Sequence, residues 1–189
     1  MIDFSKHPVG TRIVLQDRAD FTDPTGARPV MQFRVDREEQ DTSSLPPVLR
    51  TIERLVPGPD TVEREFVLSK DLDTNTWLIN GKRFDHSRID IRPRLGETEV
   101  WTFVNRSSMA HPMHVHLVRF QILERSNALI PPGELGWKDT VRVDASATAV
   151  RIIMRFEGFT GRYLFHCHNL SHSDHGMMEQ MRIVPADRS

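Results

Sequence analysis

Residues 111–116 read His-Pro-Met-His-Val-His, and residues 166–177 read His-Cys-His-Asn-Leu-Ser-His-Ser-Asp-His-Gly-Met. On a β-strand, side chains two positions apart share a face and neighbours oppose each other. His114 and His116 then point together, while His111, an odd step away and just before a proline, points elsewhere. In the second window His166 and His168 flank Cys167 and project to the face opposite it. If both segments are strands, Cys167, His172, Met177 and His111 converge on one side, and His114, His116, His166 and His168 on the other.

The rest of the chain supports strands. Twelve prolines are scattered so widely that few windows hold a helix of ordinary length. Short runs rich in Val, Ile, Phe and Thr recur between turn signals. The pattern predicts strands near Val30–Val35, Arg64–Ser69, Thr76–Ile79, Glu99–Asn105, Val115–Leu123, Asp139–Val143, Ala149–Phe156, Arg162–His168 and Gln180–Val184. Turns are expected at Asn80-Gly81, Pro131-Pro132-Gly133 and Glu157-Gly158. Residues 36–63 are polar and proline-rich and read as a linker in which only Val48–Leu55 has the pattern for a short helix. The segment C-terminal to this linker is the size of one β-sandwich. The segment N-terminal to it holds about two strands, too few to bury a core alone.

Composition excludes several classes. The chain has 189 residues, and its 25 Lys+Arg against 26 Asp+Glu leave a net charge of −1 with no block of either sign. That argues against a nucleic-acid or polybasic membrane surface. A single cysteine rules out a disulfide within the chain and a multi-thiolate zinc module. No apolar run has the length of a membrane span.

One Cys, two His and a weak axial Met form the donor set of a blue-copper electron-transfer site, because thiolate suits Cu(I) and imidazole suits Cu(II). An isolated histidine is usually a hydrogen-bonded core or surface residue. Two dense motifs in one β domain point instead to metal. Three readings are open: part of an oxidoreductase, a stand-alone blue-copper electron-transfer protein that has no use for four extra histidines, and a zinc-binding or structural domain that the Met177 spacing disfavours.

The motifs resemble those of the multicopper oxidases, the family of laccases, bilirubin oxidases, phenoxazinone synthases and spore-coat laccases. His111-Pro-Met-His114-Val-His116 looks like their HPxHxH motif, and His166-Cys167-His168 through His172 to Met177 looks like HCH-x3-H-x4-M. The likeness extends upstream through Thr76-Trp-Leu-Ile-Asn-Gly81 and Gly136-Trp-Lys-Asp-Thr-Val141. It implies an all-β, cupredoxin-like Greek-key sandwich. Residues 1–40 would close a preceding, middle cupredoxin domain, 41–63 would link, and 64–189 would be the C-terminal cupredoxin domain.

For the site, the resemblance implies type-1 copper on His111, Cys167, His172 and Met177, type-2 copper on His114, and the type-3 pair on His116, His166 and His168. Cys167 with His166 and His168 would carry electrons from a reducing substrate (a phenol, aromatic amine, bilin or metal ion) to a trinuclear cluster that reduces dioxygen to water. The family completes that cluster with two further HxH motifs in its first domain. Here His7 and His86 are lone residues, so the remaining ligands must come from N-terminal cupredoxin domains of the same enzyme, a partner chain or an oligomer. A periplasmic or secreted location is implied too. Relatives often carry an acid after the His172 position as proton donor, where this chain has Ser173 and then Asp174. His175 reads as a solvent-facing turn residue, Met109, Met113, Met178 and Met181 as gap-filling thioethers, and Trp101 and Trp137 as core. Asp139 reads equally as support for a ligand histidine or as a loop cap.

Overall fold

The computed structural model describes residues 3–17, 28–126, 128–145 and 148–186. It divides into two compact units, Met1–Arg50 and Thr51–Ser189. The first contains an antiparallel hairpin, β1 (Arg12–Asp17) and β2 (Arg28–Arg34), with Arg12 opposite Arg34 and a bulge between Leu15 and Gln16. Phe4 packs on Phe33 of the same unit, ring centroids 5.3 Å apart.

The second unit consists of two sheets. One has the order β4–β3–β5–β9–β7, from Thr76–Ile79, Val62–Asp71, Thr98–Asn105, Thr148–Arg155 and Phe120–Arg125. The other has the order β11–β10–β6–β8, from Met178–Ile183, Gly161–Cys167, His111–Val115 and Thr140–Val143. Among the described residues, these strands pair antiparallel with one another except β3 with β5. Among the described residues, helix is limited to α1 (Leu170–Asp174) and one 3-10 turn, Pro132–Glu134.

Aromatic side chains join the sheets. Phe66 of β3 meets Phe165 of β10 at 4.8 Å, and Trp101 of β5 lies 4.8 Å from Phe66 and 5.0 Å from Phe165. All three are essentially solvent-free, and rings at such separations add to the area they bury. Beneath them lies a buried charge. Glu99 accepts two bonds of 2.7 Å from the Arg64 guanidinium and one of 2.7 Å from Trp101 Nε1–H.

Three local readings need correction. The expected single strand Val115–Leu123 is two strands, because the chain leaves the four-stranded sheet after Val115 and enters the five-stranded one at Phe120. The bend places Leu117 at φ 75°, a conformation a branched side chain adopts only when its surroundings enforce it. The alternating Val-His-Leu-Val-Arg-Phe-Gln-Ile-Leu pattern hides that crossing. Val48–Leu55 forms no helix: the buried Gln121 amide takes the backbone bonds, donating to Glu53 O at 2.6 Å and accepting Leu55 N–H at 3.0 Å. Trp137 is only half-buried, whereas Trp101 is core.

Arg64 keeps 26% of its side-chain area in solvent, but Glu99 keeps none, so removing Arg64 strands a buried carboxylate. Arg64→Met should therefore lower the unfolding free energy by about 1–3 kcal/mol in urea titrations, and adding Glu99→Gln should recover most of the loss.

Candidate metal centre

The site is set by one register. In the β6–β10 pair His166 stands opposite His114 and Cys167 opposite Met113. Alternation then buries His111, Met113, Val115, Phe165 and Cys167 and leaves His114 and His166 half-exposed on the outer face. The pairing runs on past both strand ends, with His168 N–H on Pro112 O at 2.6 Å and His116 N–H on Leu164 O at 3.1 Å.

On the buried side the donor atoms of His111, Cys167 and His172 all lie within 4.8 Å of one another. His111 Nδ1 is 3.1 Å from His172 Nδ1, and Cys167 Sγ is 3.7 Å and 3.5 Å from those nitrogens. A point equidistant from the three lies about 2 Å from each, the length of a metal–imidazole bond. His172 is delivered by α1, which Asn169 caps by accepting from Ser171 N–H at 3.2 Å. The fully buried Met177 is tied to both neighbours, its N–H on His172 O at 3.0 Å and its O accepting Cys167 N–H at 3.1 Å.

The support behind His111 is not legible in the sequence as such. His111 Nε2 lies 2.7 Å from Ser107 Oγ, which donates to Asn105 Oδ1 at 2.9 Å. With Nδ1 turned to a metal, Nε2–H donates to this hydroxyl and the ring is fixed. Asn105 in turn donates to Met109 O and Asp144 O, each at 2.7 Å. The one sequence signal is a polar Asn-Arg-Ser-Ser stretch between the apolar strand β5 and the histidine motif. Trp77, which packs on the rings of both His111 and His172, likewise stands in the sequence only as part of the Thr76–Gly81 motif.

On the outer face the four imidazoles cluster. Ring centroids lie 5.0 Å apart for His114–His116, 5.3 Å for His116–His166, 5.6 Å for His114–His166 and for His114–His168, and 5.7 Å for His166–His168. His114 Nδ1–H donates to Asp139 O at 2.8 Å, and His166 Nδ1–H to Cys167 O at 2.9 Å, since a carbonyl only accepts. Their Nε2 atoms are left as donors to a metal, and that of His166 lies 3.2 Å from His116 Nε2. Asp139 thus supports a histidine through its backbone, while its carboxylate accepts from Thr140 Oγ1 at 3.0 Å. Ser173 Oγ donates to Leu170 O at 3.1 Å, and Asp174 is exposed. His175 is exposed with its Nδ1–H on Ser171 O at 2.7 Å. Met113 and Met181 are core, and Met109 is exposed.

Burial sets the protonation states. It pushes the Cys167 thiol up to about 11, and it pulls His111 down to about 4, helped by the like charge of His172. His172, His116 and His166 are also lowered, each chiefly by burial. Neutral imidazoles are ready ligands, and a bound cation draws the proton from the thiol.

A two-sheet sandwich with a His–Cys–His group between its layers is the cupredoxin fold. The sequence profile described as "Multicopper oxidase" matches residues 57–187, and the chain belongs to the multicopper oxidase family. It is 33% identical to a laccase of Bacillus stratosphericus over 97% of this chain and 41% of that protein. It is 36% identical to a laccase of Haloferax volcanii over 94% of this chain and 32% of that protein. The crystal structure of a laccase from Pediococcus acidilactici superposes with a TM-score of 0.82 at 30% identity, covering 97% of this chain and 38% of that one. The chain thus spans less than half the length of these curated relatives.

The depressed His111 value makes the metal-free protein acid-sensitive. The folded pKa lies below the unfolded one, so the stabilisation is complete above the ordinary histidine value of 6.5 and is lost as pH falls toward about 4. The unfolding free energy of the metal-free chain from urea titrations should fall across that window by up to about 1.4 kcal/mol per pH unit on account of His111, and less steeply in His111→Gln.

Proposed function

We propose that this chain is the C-terminal part of a laccase-like multicopper oxidase, with residues 1–40 the end of a preceding cupredoxin domain, 41–63 a linker and 64–189 the C-terminal cupredoxin domain. His111, Cys167, His172 and Met177 would hold type-1 copper, His114 type-2 copper, and His116, His166 and His168 the type-3 pair. The observation that carries this reading is the triangle of Cys167 Sγ, His111 Nδ1 and His172 Nδ1 within 4.8 Å on one side of β10, with His166 on its other face. Thiolate with two imidazoles is the donor set that suits both oxidation states of copper.

Bound there, copper supplies one-electron oxidation of a small-molecule reducing substrate at the mononuclear site and reduction of dioxygen to water, with four electrons and four protons, at the cluster. The chain's own contribution is position. Cys167 is covalently adjacent to His166 and His168, so the two faces of β10 are joined by two short peptide routes. Asp139 O and Cys167 O hold His114 and His166 with Nε2 available. Ser107 holds His111 with Nδ1 available. This chain supplies four of the cluster histidines, and N-terminal cupredoxin domains of the same enzyme or of a partner chain would supply the others. The enzyme is proposed to work in the periplasm or outside the cell. The stand-alone blue-copper reading is not favoured, because it leaves the four outer histidines without a use.

Copper loading should produce an intense thiolate-to-Cu(II) absorption in the red that Cys167→Ser abolishes; a colourless, fully loaded wild type would refute the type-1 assignment. Oxygen consumption with a phenolic or aromatic-amine donor should be negligible for the copper-loaded chain alone and appear when the upstream domains are present. Robust turnover by the isolated chain, lost in His114→Ala and His168→Ala, would refute the incomplete-cluster reading.

A further inference from the structure

Both imidazoles beside Cys167 are shut away from solvent: His111 is fully buried and His172 retains 2% of its area. The side chain packed on both is Trp77. Its ring lies 4.1 Å from that of His172 with 36° between planes, and 5.1 Å from that of His111, edge-on at 76°. Trp77 retains 6% of its own area in solvent, and Lys70 Nζ stands 4.8 Å from its ring centroid. The indole therefore contacts the two ligands and also reaches the surface.

The backbone holds it there. Trp77 N–H donates to His175 O at 3.1 Å, and Phe84 N–H donates to Gly176 O at 3.0 Å, so β4 and the segment after it are strapped to the loop carrying His172 and Met177. Gly176 makes the close approach possible: its φ is +111°, and an added Cβ would lie 2.6 Å from Arg83 Cγ and 3.0 Å from Trp77 O.

We propose that Trp77 closes the mononuclear site, as a positioning residue that fixes the His172 ring plane by face contact and braces the edge of His111, and that a reducing substrate meets Trp77 rather than a ligand imidazole. This rests on the copper reading above. A ring fixed in plane would present Nδ1 to a bound metal in one orientation, and on the face that Trp77 covers a donor would meet the indole before His172. Trp77 thereby sets which donors reach the site and how closely.

The first test needs no copper. Histidines of the metal-free chain are carbethoxylated with diethyl pyrocarbonate and located by peptide mass spectrometry, with the exposed His168 and His175 as internal references. His172 should be protected in the wild type and should react on the order of tenfold faster in Trp77→Ala, the references being unchanged. Trp77→Phe keeps a flat ring and should fall between the two. A Trp77→Ala variant with wild-type far-UV circular dichroism and wild-type protection of His172 overturns the proposal. If Trp77→Ala does not fold, Trp77→Phe decides: faster modification of His172 supports the cover, and a wild-type rate overturns it. In the second test the copper-loaded chain is reduced under argon by excess hexacyanoferrate(II), and bleaching of the visible band is timed. Trp77→Ala should shift that band and bleach faster, and an unchanged band and rate overturn the substrate-contact half. A wild type with no band overturns the copper reading and that half together, while the first test still decides the covering of His172.

Discussion

The register of β6 against β10 is the constraint on which everything else rests. Setting His166 opposite His114 and Cys167 opposite Met113 assigns His111, His114, His166 and Cys167 to their faces. A slip of one residue would exchange the buried thiol for an imidazole and turn the histidine array into the core. The slip is prevented by packing. Phe165, one residue before the His-Cys-His triplet, is wedged among Phe66, Trp101 and the rest of the buried cluster, and Val115 and Met113 fill the same layer from β6. Apolar burial of this kind stabilises by a few kcal/mol per large side chain, whereas ligand imidazoles contribute nothing comparable without an ion.

The centre on the buried face is a polar pocket kept metal-ready by its surroundings. Desolvation keeps the thiol protonated and His111 and His172 neutral, so the pocket carries no unpaired charge to penalise folding. Its geometry is held by groups that do not themselves ligate. Ser107 and Asn105 fix one ring, Asn169 caps the helix that delivers the other, and the Met177 backbone is bonded to both Cys167 and His172. The outer face is built differently. Its rings are steadied by the carbonyls of Asp139 and Cys167, and its four imidazoles gather with neighbouring ring centroids 5.0–5.7 Å apart.

The sequence by itself determined the β texture, the two motifs and the sorting of their side chains onto two faces. Alternation is a property of the local backbone, so Cys167 against His166 and His168 needed no tertiary knowledge. The sequence motifs also resembled those of the family that the profile match shows. Only the tertiary structure decided where strands break and what surrounds the ligands. The strand-like segment from Val115 to Leu123 is broken at Leu117 because the chain changes sheets there, a demand set by the layer packing and invisible to periodicity. Val48–Leu55 forms no helix, and within it Glu53 O and Leu55 N–H bond instead to the buried amide of Gln121, distant in sequence. Trp77, Ser107 and Asn105 became site residues for the same reason. Their roles come from contacts across strands and loops, and one sequence records which residues are apolar or polar, not which of them meet in space.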